Sequence, residues 1–175
     1  GYANPIERFG YDAFAEASSV AGVDGLITVD LPPEEVGRLD HALIQVGIDN
    51  IFLISPTTEN ERIETIVARA RGFIYYVAVK GVTGSGQLDV NEVAQRVGVI
   101  RGMTDLPVAV GFGIKDADSA SHVAQVADAV VVGSALIDEM VRKSRADANL
   151  EEIQIHEAAV QLLKRIRSGV DSSPS

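Results

Sequence analysis

The sequence has 175 residues, a length that fits one domain, and its content of 46% hydrophobic and 23% charged residues excludes a disordered chain. The formal net charge of −10 argues against nucleic acid or an anionic membrane as the main partner, although backbone N–H groups can still bind phosphate. The absence of cysteine excludes disulfides, thiolate metal sites and a cysteine nucleophile. No signal peptide is visible, and no apolar run approaches the roughly 20 residues of a membrane span, so we expect a cytoplasmic protein.

Five short apolar runs predict buried strands along the chain. They are rich in Val and Ile and alternate little with polar residues, which is typical of parallel strands covered on both faces. The predicted strands are residues 25–29, 51–54, 73–79, 107–111 and 129–132. The opening segment Gly1-Tyr2-Ala3-Asn4-Pro5 resembles the end of a further strand.

Helical spacing separates these runs. An apolar stripe predicts a helix over residues 61–71, with Thr57 or Thr58 as its cap. A second helix is predicted to open near Pro32, since proline is favoured at the first helical position. Further helices are predicted around the stripe of Val93, Val97 and Ile100 and over residues 116–127, 134–143 and 150–167.

The repeated strand–helix units predict a (βα) fold with right-handed crossovers. A doubly wound open sheet fits the same elements. Glycine-bearing turns after three successive strands favour a (βα)₈ TIM barrel, whose functional loops follow its strands. We therefore expect residues 1–175 to belong to a single barrel domain, with residues 169–175 as a disordered tail.

The three turns predict a phosphate site. They are residues 80–86, Gly111-Phe112-Gly113-Ile114 and Gly133-Ser134, and the last opens a predicted helix. Glycine lets an anion approach the backbone, and a helix N-terminus offers unpaired N–H donors. Simple tight turns remain the alternative. The spacing matches no nucleotide-binding fingerprint.

Other polar residues have more than one interpretation. Asp30 is a base or hydrogen-bond anchor at the end of a strand, or else the cap of the helix near Pro32. Either Tyr75 or Tyr76 faces the barrel interior, as a core or a site tyrosine, because neighbouring residues of a strand point to opposite faces. Lys80 has the chemistry of a Schiff-base lysine, but we expect it to face solvent. No metal or Ser-His-Asp pattern stands out, and the histidines are expected on helix surfaces: His41, His122 and His156.

Together these motifs resemble the tryptophan synthase alpha family. The matching segments run in order from Gly1 to about Arg145, with the closing helix also in place. They are Tyr2-Ala3-Asn4-Pro5, Gly22-Val23-Asp24-Gly25, Asp30-Leu31-Pro32-Pro33-Glu34-Glu35, Tyr75, Gly81-Val82-Thr83-Gly84, Gly111-Phe112-Gly113-Ile114 and Gly133-Ser134. The resemblance implies a (βα)₈ barrel, here from the end of strand three through strands four to eight, with the N-terminal portion absent. It implies a lyase of tryptophan biosynthesis that cleaves indole-3-glycerol phosphate to indole and glyceraldehyde 3-phosphate in a retro-aldol step.

The resemblance also implies roles for individual residues. Tyr75 matches a tyrosine beside the catalytic acids, in a supporting role. Substrate and phosphate contacts are implied for Thr83 and Gly84 of a closing loop after strand six, and for Gly111, Phe112, Gly113, Gly133 and Ser134. The implied indole pocket consists of Ile27, Val29, Leu53 and Phe112. Asn4 and Pro32 match positions near the contact with a beta subunit.

The family's catalytic Glu and Asp lie before the region that matches Gly1, so we expect no meaningful turnover from these 175 residues alone. No metal or cofactor is expected in this chain, and pyridoxal phosphate is expected in the beta subunit of an alpha₂beta₂ heterotetramer. One alternative is a truncated, non-catalytic module that binds sugar phosphates or docks a beta-type partner. Another is a phosphate-binding barrel that acts on an aldose or ketose phosphate, against which Tyr75 and Asn4-Pro5 argue.

Overall fold

The computed structural model of the chain describes residues 1–78, 89–111, 113–146 and 151–172. Within these residues the strands are β1 (Gly25–Ile27), β2 (Asp49–Ile54), β3 (Ile74–Val77), β4 (Val108–Gly111) and β5 (Ala129–Val131). The helices are α1 (Ala3–Phe9), α2 (Tyr11–Val20), α3 (Gly37–Gln45), α4 (Asn60–Val67), α5 (Val90–Arg101), α6 (Ala117–Ala124), α7 (Ser134–Ala146) and α8 (Glu152–Asp171). None of the helices in these ranges combines the length and the apolar character needed to cross a bilayer.

The chain divides into two compact units. The first comprises Gly1–Tyr76 and Val99–Val108, and the second comprises Val77–Gly98 and Ala109–Ser175. In the first unit β2 lies between β1 and β3 and is parallel to both. In the second unit β4 and β5 form a parallel pair. Parallel neighbours joined through helices are the arrangement that the repeated strand–helix units predict.

One face of the first unit's sheet is fully buried. Phe52 pairs with Ile74 and Ile54 with Tyr76, and each of these side chains is at most 5% exposed. Helix α3 packs against β2. The buried side chains of α3 and α4 are Leu39, Ala42, Leu43, Ile63 and Ile66. Burying a side chain of this size stabilises a fold by about 1.5–3 kcal/mol, so this layer is the main core of the unit.

In the second unit α8 packs against both α6 and α7. Helix α6 begins with a capping box, in which the Asp116 carboxylate accepts from the Ser119 N–H at 2.8 Å and Ser119 Oγ accepts from the Asp116 N–H at 3.2 Å. The buried side chains of α6 and α8 are Ala120, Val123, Leu162 and Ile166.

The predicted strands are all present. β1, β3, β4 and β5 lie inside their predicted ranges, and β2 begins at Asp49 instead of Ile51. The stripe of Val93, Val97 and Ile100 is buried on α5, which confirms that helix.

The prediction of a strand end at the start of the sequence is wrong for residues 3–5, which form the first turn of α1. The Ala3 N–H donates to Asp30 Oδ1 at 2.7 Å, and Pro5 lies in the first turn, where its missing N–H costs nothing. The bond from the Val29 N–H to the Gly1 carbonyl, 3.1 Å, still holds Gly1 beside the end of β1.

The helix predicted to open near Pro32 begins only at Gly37. A residue before proline is pushed away from the helical region, so Leu31 and Pro32 are both extended by the proline that follows them. Residues 33–36 form a turn, in which the Glu35 N–H donates to the Pro32 carbonyl at 3.0 Å. The cap predicted for the next helix is also misplaced, because the N-cap residue of α4 is Glu59.

The tail predicted over residues 169–175 is wrong in its first part. Helix α8 continues to Asp171, with Ser172 as its C-cap, and residues 173–175 lie outside the described residues. Gly169 is buried within this helix, so packing against a neighbour extends the helix beyond the predicted end at Arg167.

Candidate functional site

Three of the expected site residues share one face of the first unit's sheet. Ile27 pairs with Ile51, and Leu53 pairs with Tyr75. Side chains alternate along a strand, and paired residues point to the same face, so Leu53 and Tyr75 continue the face that Ile27 and Ile51 begin. Ile27, Leu53 and Tyr75 are half-buried on this open face, and Val29, which lies in the turn just after β1, is 51% exposed. The result is a partly solvated apolar surface that can bind an aromatic ring.

The two tyrosines of β3 have different environments. Tyr76 is 1% exposed on the helix-covered face, whereas Tyr75 lies beside Leu53 on the open face. Partial burial raises the pKa of the Tyr75 phenol above its ordinary value. At neutral pH the Tyr75 hydroxyl is therefore a neutral hydrogen-bonding group and not a base.

A cavity of about 330 Å³ lies where β1 and β2 end. Its lining combines Val29 and Leu53 of the expected indole pocket with Pro32 of the expected partner contact. The other lining residues are Thr28, Asp30, Leu31, Pro33, Phe52, Thr58, Arg62 and Ile66. Ile27 does not line it. The cavity is formed largely by the loops that follow the two strands, which is where the functional loops of (βα) proteins lie.

The loop after β1 is held in place by α4. Arg62 of α4 forms an ion pair with Glu34 of the loop, at 2.9 Å. This pair and the backbone of Glu34 hold the pKa of its carboxyl below the usual value. The Arg69 guanidinium donates to the Pro33 carbonyl at 2.6 Å. Because both partners are about half exposed, the ion pair helps to position the loop after β1 more than it stabilises the fold.

Asp30 accepts the Ala3 N–H bond, which decides between the two roles considered for it. No helix begins near Pro32 for Asp30 to cap, so the hydrogen-bond anchor is the role that the structure supports. Asn4, which directly follows Ala3, is exposed in the first turn of α1. The two expected partner contacts, Asn4 and Pro32, thus lie on segments joined through Asp30 and Ala3.

In the second unit two of the predicted glycine turns lie side by side. Gly111 of β4 pairs with Val131 of β5, so Gly113 and Gly133 each lie two residues beyond a paired position. Gly113 has φ +75°, a conformation in which other residues are strained. Neither glycine has any atom within 4 Å of the place where a Cβ would lie, which leaves their backbone open to a ligand.

Helix α7 begins directly after the second of these turns. Its first turn, residues 134–137, carries no acidic residue, whereas α2, α3, α4, α5, α6 and α8 each carry one there. Ser134 is exposed at this end. The N-terminus of a helix is the positive end of its dipole and has unpaired N–H groups, so this uncompensated end can bind an anion.

Several expected site residues cannot be placed. Thr83 and Gly84 of the closing loop, Phe112 of the second turn and Lys80 lie outside the described residues. The histidines are exposed on α3, α6 and α8, as expected: His41, His122 and His156.

The structure also shows site residues that sequence reasoning missed. Thr28 is 7% exposed, lines the cavity of the first unit and has a hydroxyl with no hydrogen-bond partner among the described residues. No sequence signal marked it, because a threonine inside an apolar run is an ordinary strand residue. Arg62 was missed too, although a cation on the helix after a strand end was visible in the sequence. A second cavity of about 530 Å³ lies between β5 and α8 and contains none of the expected site residues.

Known proteins match this chain over nearly its whole length. The family model of the tryptophan synthase alpha chain matches residues 1–167. A tryptophan synthase alpha chain of Thioalkalivibrio sulfidiphilus is 58% identical over 140 residues, covering 80% of this chain and 53% of the relative. That of Nitrosococcus oceani is 50% identical over 174 residues, covering 99% of this chain and 62% of the relative.

Solved structures also match the fold of this chain. The tryptophan synthase alpha chain of Legionella pneumophila superposes with a TM-score of 0.84 at 39% identity, covering 100% of this chain and 62% of that one. A chain of tryptophan synthase from Mycobacterium tuberculosis, in its aminoacrylate-bound form, gives a TM-score of 0.80 at 32% identity, covering 97% of this chain and 59% of that one. The predicted fold class, part of a (βα)₈ barrel, is confirmed.

The similarity covers most of this chain but only part of each relative. This chain spans 53% to 62% of the length of the two curated relatives. The chain belongs to the tryptophan synthase alpha chain family.

Proposed function

We propose that the protein is a lyase subunit that takes part in the retro-aldol cleavage of indole-3-glycerol phosphate to indole and glyceraldehyde 3-phosphate. The family match over residues 1–167 carries this proposal. The open face formed by Ile27, Leu53 and Tyr75 supports it, since an indole ring needs a flat apolar surface with few polar groups.

The proposed mechanism gives this chain the task of binding and orienting substrate. Apolar burial at about 25 cal/mol per Å² holds the ring against the open face. Ser134 and the turn glycines Gly113 and Gly133 bind the phosphate through backbone N–H groups and the α7 dipole.

Two further groups complete the proposed binding site. The family resemblance implies substrate contacts for Thr83 and Gly84, which lie outside the described residues. Tyr75, neutral at physiological pH, donates or accepts a hydrogen bond beside the reacting groups. Protonation of the ring carbon and stabilisation of the indole N–H need two carboxylates, a role that none of the residues placed here takes.

The proposed partner is a tryptophan synthase beta subunit, in an alpha₂beta₂ assembly. Asn4 and Pro32 are the contact residues, since Asn4 is exposed and Pro32 lines the cavity. The cofactor of the assembly, pyridoxal phosphate, belongs to that partner. We place the assembly in the cytoplasm, in keeping with a chain that has no cysteine.

Indole release from indole-3-glycerol phosphate tests the proposal. The full-length gene product that carries this sequence is assayed with and without beta subunit, beside Leu53→Asn and Val20→Asn. Leu53→Asn places an amide on the open face and is expected to raise KM at least about tenfold. Val20 is 86% exposed on α2, so Val20→Asn is expected to leave KM unchanged. No indole release by the unsubstituted protein with beta subunit would overturn the proposal.

A non-catalytic binding module is the second candidate. The observation that favours it is that the residues placed here supply binding contacts and none of them takes the role of the two carboxylates. Such a module would bind glyceraldehyde 3-phosphate or the beta subunit without releasing indole. Calorimetric titration with each, beside the indole assay on the same preparation, separates the two candidates.

A further inference from the structure

Asp30 connects two parts of the first unit that are far apart in the sequence. Its Oδ1 accepts the Ala3 N–H at 2.7 Å, across a separation of 27 residues. One residue earlier, the Val29 N–H donates to the Gly1 carbonyl at 3.1 Å. The nitrogen of Gly1 also donates to the Ile27 carbonyl, at 2.6 Å. The end of β1 and the segment that begins α1 are therefore joined by three hydrogen bonds, and of these the bond to Asp30 is the one that reaches α1 itself.

These bonds lie between two proposed contacts. On one side Val29 lines the cavity where β1 and β2 end. On the other side Asn4, the proposed partner contact, directly follows Ala3. The Asp30 carboxylate and the Ala3 peptide unit thus form a short connection between the two.

The loop that carries Asp30 is itself restrained by its prolines and by contacts with neighbouring residues. Leu31 and Pro32 are restricted by the prolines that follow them. The rest of the loop is tied to α4 by the ion pair between Arg62 and Glu34, and to the turn after α4 by the bond from Arg69 to the Pro33 carbonyl, 2.6 Å. A carboxylate on a restrained loop can fix the position of a helix, whereas one on a loose loop would follow it.

We propose that Asp30 is a positioning residue that holds α1, and with it the partner contact Asn4, against the strand end that carries the substrate pocket. The inference rests on the proposed function, and it adds a physical link between beta-subunit docking and substrate binding. A hydrogen bond to an ionised carboxylate is about twice as strong as one between neutral groups, and the positive end of α1 strengthens it further. Removing its donor, the Ala3 N–H, should loosen α1 without changing any residue that lines the cavity.

Two variants remove the bond from opposite sides. Asp30→Ala deletes the acceptor. Ala3→Pro deletes the donor N–H while keeping the fold, since proline is favoured at the first helical position and Tyr2, with φ −116° and ψ 148°, already has the extended backbone that precedes proline. Asp30→Asn keeps an acceptor oxygen and serves as the conservative rescue. Glu35→Ala removes an exposed carboxylate from the same loop and is the matched control.

The experiment measures beta-subunit affinity by calorimetry, and kcat and KM for indole release with and without beta subunit, on the full-length gene product. Asp30→Ala and Ala3→Pro should each weaken beta-subunit binding about tenfold and reduce the stimulation of indole release by beta subunit. The double variant should lose no more than either single one, because both remove the same bond. Asp30→Asn should stay within about threefold of the unsubstituted protein in beta-subunit affinity. For Ala3→Pro, at a residue that does not line the cavity, kcat without beta subunit should stay within about twofold.

Two results would overturn the inference. If Asp30→Ala and Ala3→Pro bind and respond to beta subunit like Glu35→Ala, the bond has no positioning role. If they lower only the melting temperature while affinity and stimulation hold, the bond is merely structural. Failure of the proposed function is seen separately, as an unsubstituted protein that releases no indole with beta subunit, and the inference would then fall with it.

Discussion

Gly169 of α8 lies directly against the backbone of Ala117, the first residue of α6. A Cβ at Gly169 would overlap the Ala117 carbonyl oxygen and lie 2.8 Å from both Ala117 C and Cα. The close approach of these two helices therefore depends on the absence of a side chain at one position. The atoms that a Cβ would meet are backbone atoms of Ala117, and Gly169 itself is buried within α8. No flexible side chain is therefore present that could move aside.

Gly169→Ala should destabilise the protein even though alanine is the better helix former. Overpacking costs about 1–3 kcal/mol, which outweighs the gain of up to about 1 kcal/mol from helix propensity. Gly98 of α5 is the matched control, because it is exposed and has no atom within 4 Å of a Cβ position. Gly98→Ala should stabilise the protein by about 0.5–1 kcal/mol. Urea unfolding shows whether each variant has a lower or a higher free energy of unfolding than the unsubstituted protein. A stabilised Gly169→Ala would refute the close packing.

The Asp116 cap of α6 should make stability depend on pH. Hydrogen bonds from the Ser119 hydroxyl, 2.6 Å, and the Ser119 N–H, 2.8 Å, hold the pKa of Asp116 below its usual value. A lowered folded pKa means that this stabilisation is present above about pH 4 and is lost as the pH falls through the folded pKa. Asp116→Ala should cost about 1 kcal/mol at pH 7 and progressively less below pH 4. Denaturant unfolding of both proteins across pH 2–7 measures the loss of unfolding free energy caused by Asp116→Ala. A loss that stays constant at low pH would contradict the prediction.

The strands were predictable because burial on both faces leaves a continuous apolar run, as at residues 51–54. The start of α6 was predictable because its cap, Asp116, is local. The start of α1 was not, since the Ala3 N–H bonds to Asp30, 27 residues away. The end of α8 depends in the same way on a distant neighbour, Ala117, which no sequence window around Gly169 contains.

The candidate site, like the helix ends, was only partly predictable from the sequence. The resemblance named Ile27, Leu53 and Tyr75, but only strand register shows that they share a face, and a shift of one residue would reverse it. The buried hydroxyl of Thr28 has no sequence signature at all. Motif reasoning identifies residues one at a time, whereas a site also depends on which faces the folded sheet brings together.

In the full-length gene product assayed with beta subunit, the proposed function predicts that Tyr75→Phe reduces kcat/KM for indole release about tenfold, equivalent to about 1.4 kcal/mol of lost transition-state stabilisation. The phenyl ring keeps its place beside Leu53, so the fold should be unaffected. Because burial raises the pKa of Tyr75, the hydroxyl stays protonated and the ratio of the two rates should be constant from about pH 6 to about pH 9. Tyr76→Phe is the control: it changes the buried face, and should cost about 1 kcal/mol of stability with kcat/KM unchanged. Equal effects of the two variants on kcat/KM would exclude a special role for Tyr75.

Ser134→Asp should block phosphate binding while leaving the fold intact. A carboxylate in the first turn of α7 complements the helix dipole by about 0.3–1 kcal/mol, so stability should hold or rise. The same charge repels a phosphate by about 2 kcal/mol at a distance of about 8 Å and an effective dielectric constant of about 20, which predicts a rise in KM of about thirtyfold. Asn91→Asp is the matched control, since Asn91 lies exposed in the first turn of α5 and gains the same charge. Steady-state indole release and thermal unfolding of the two variants separate binding from stability. A KM for Ser134→Asp equal to that of Asn91→Asp would show that the substrate phosphate does not bind at the N-terminus of α7.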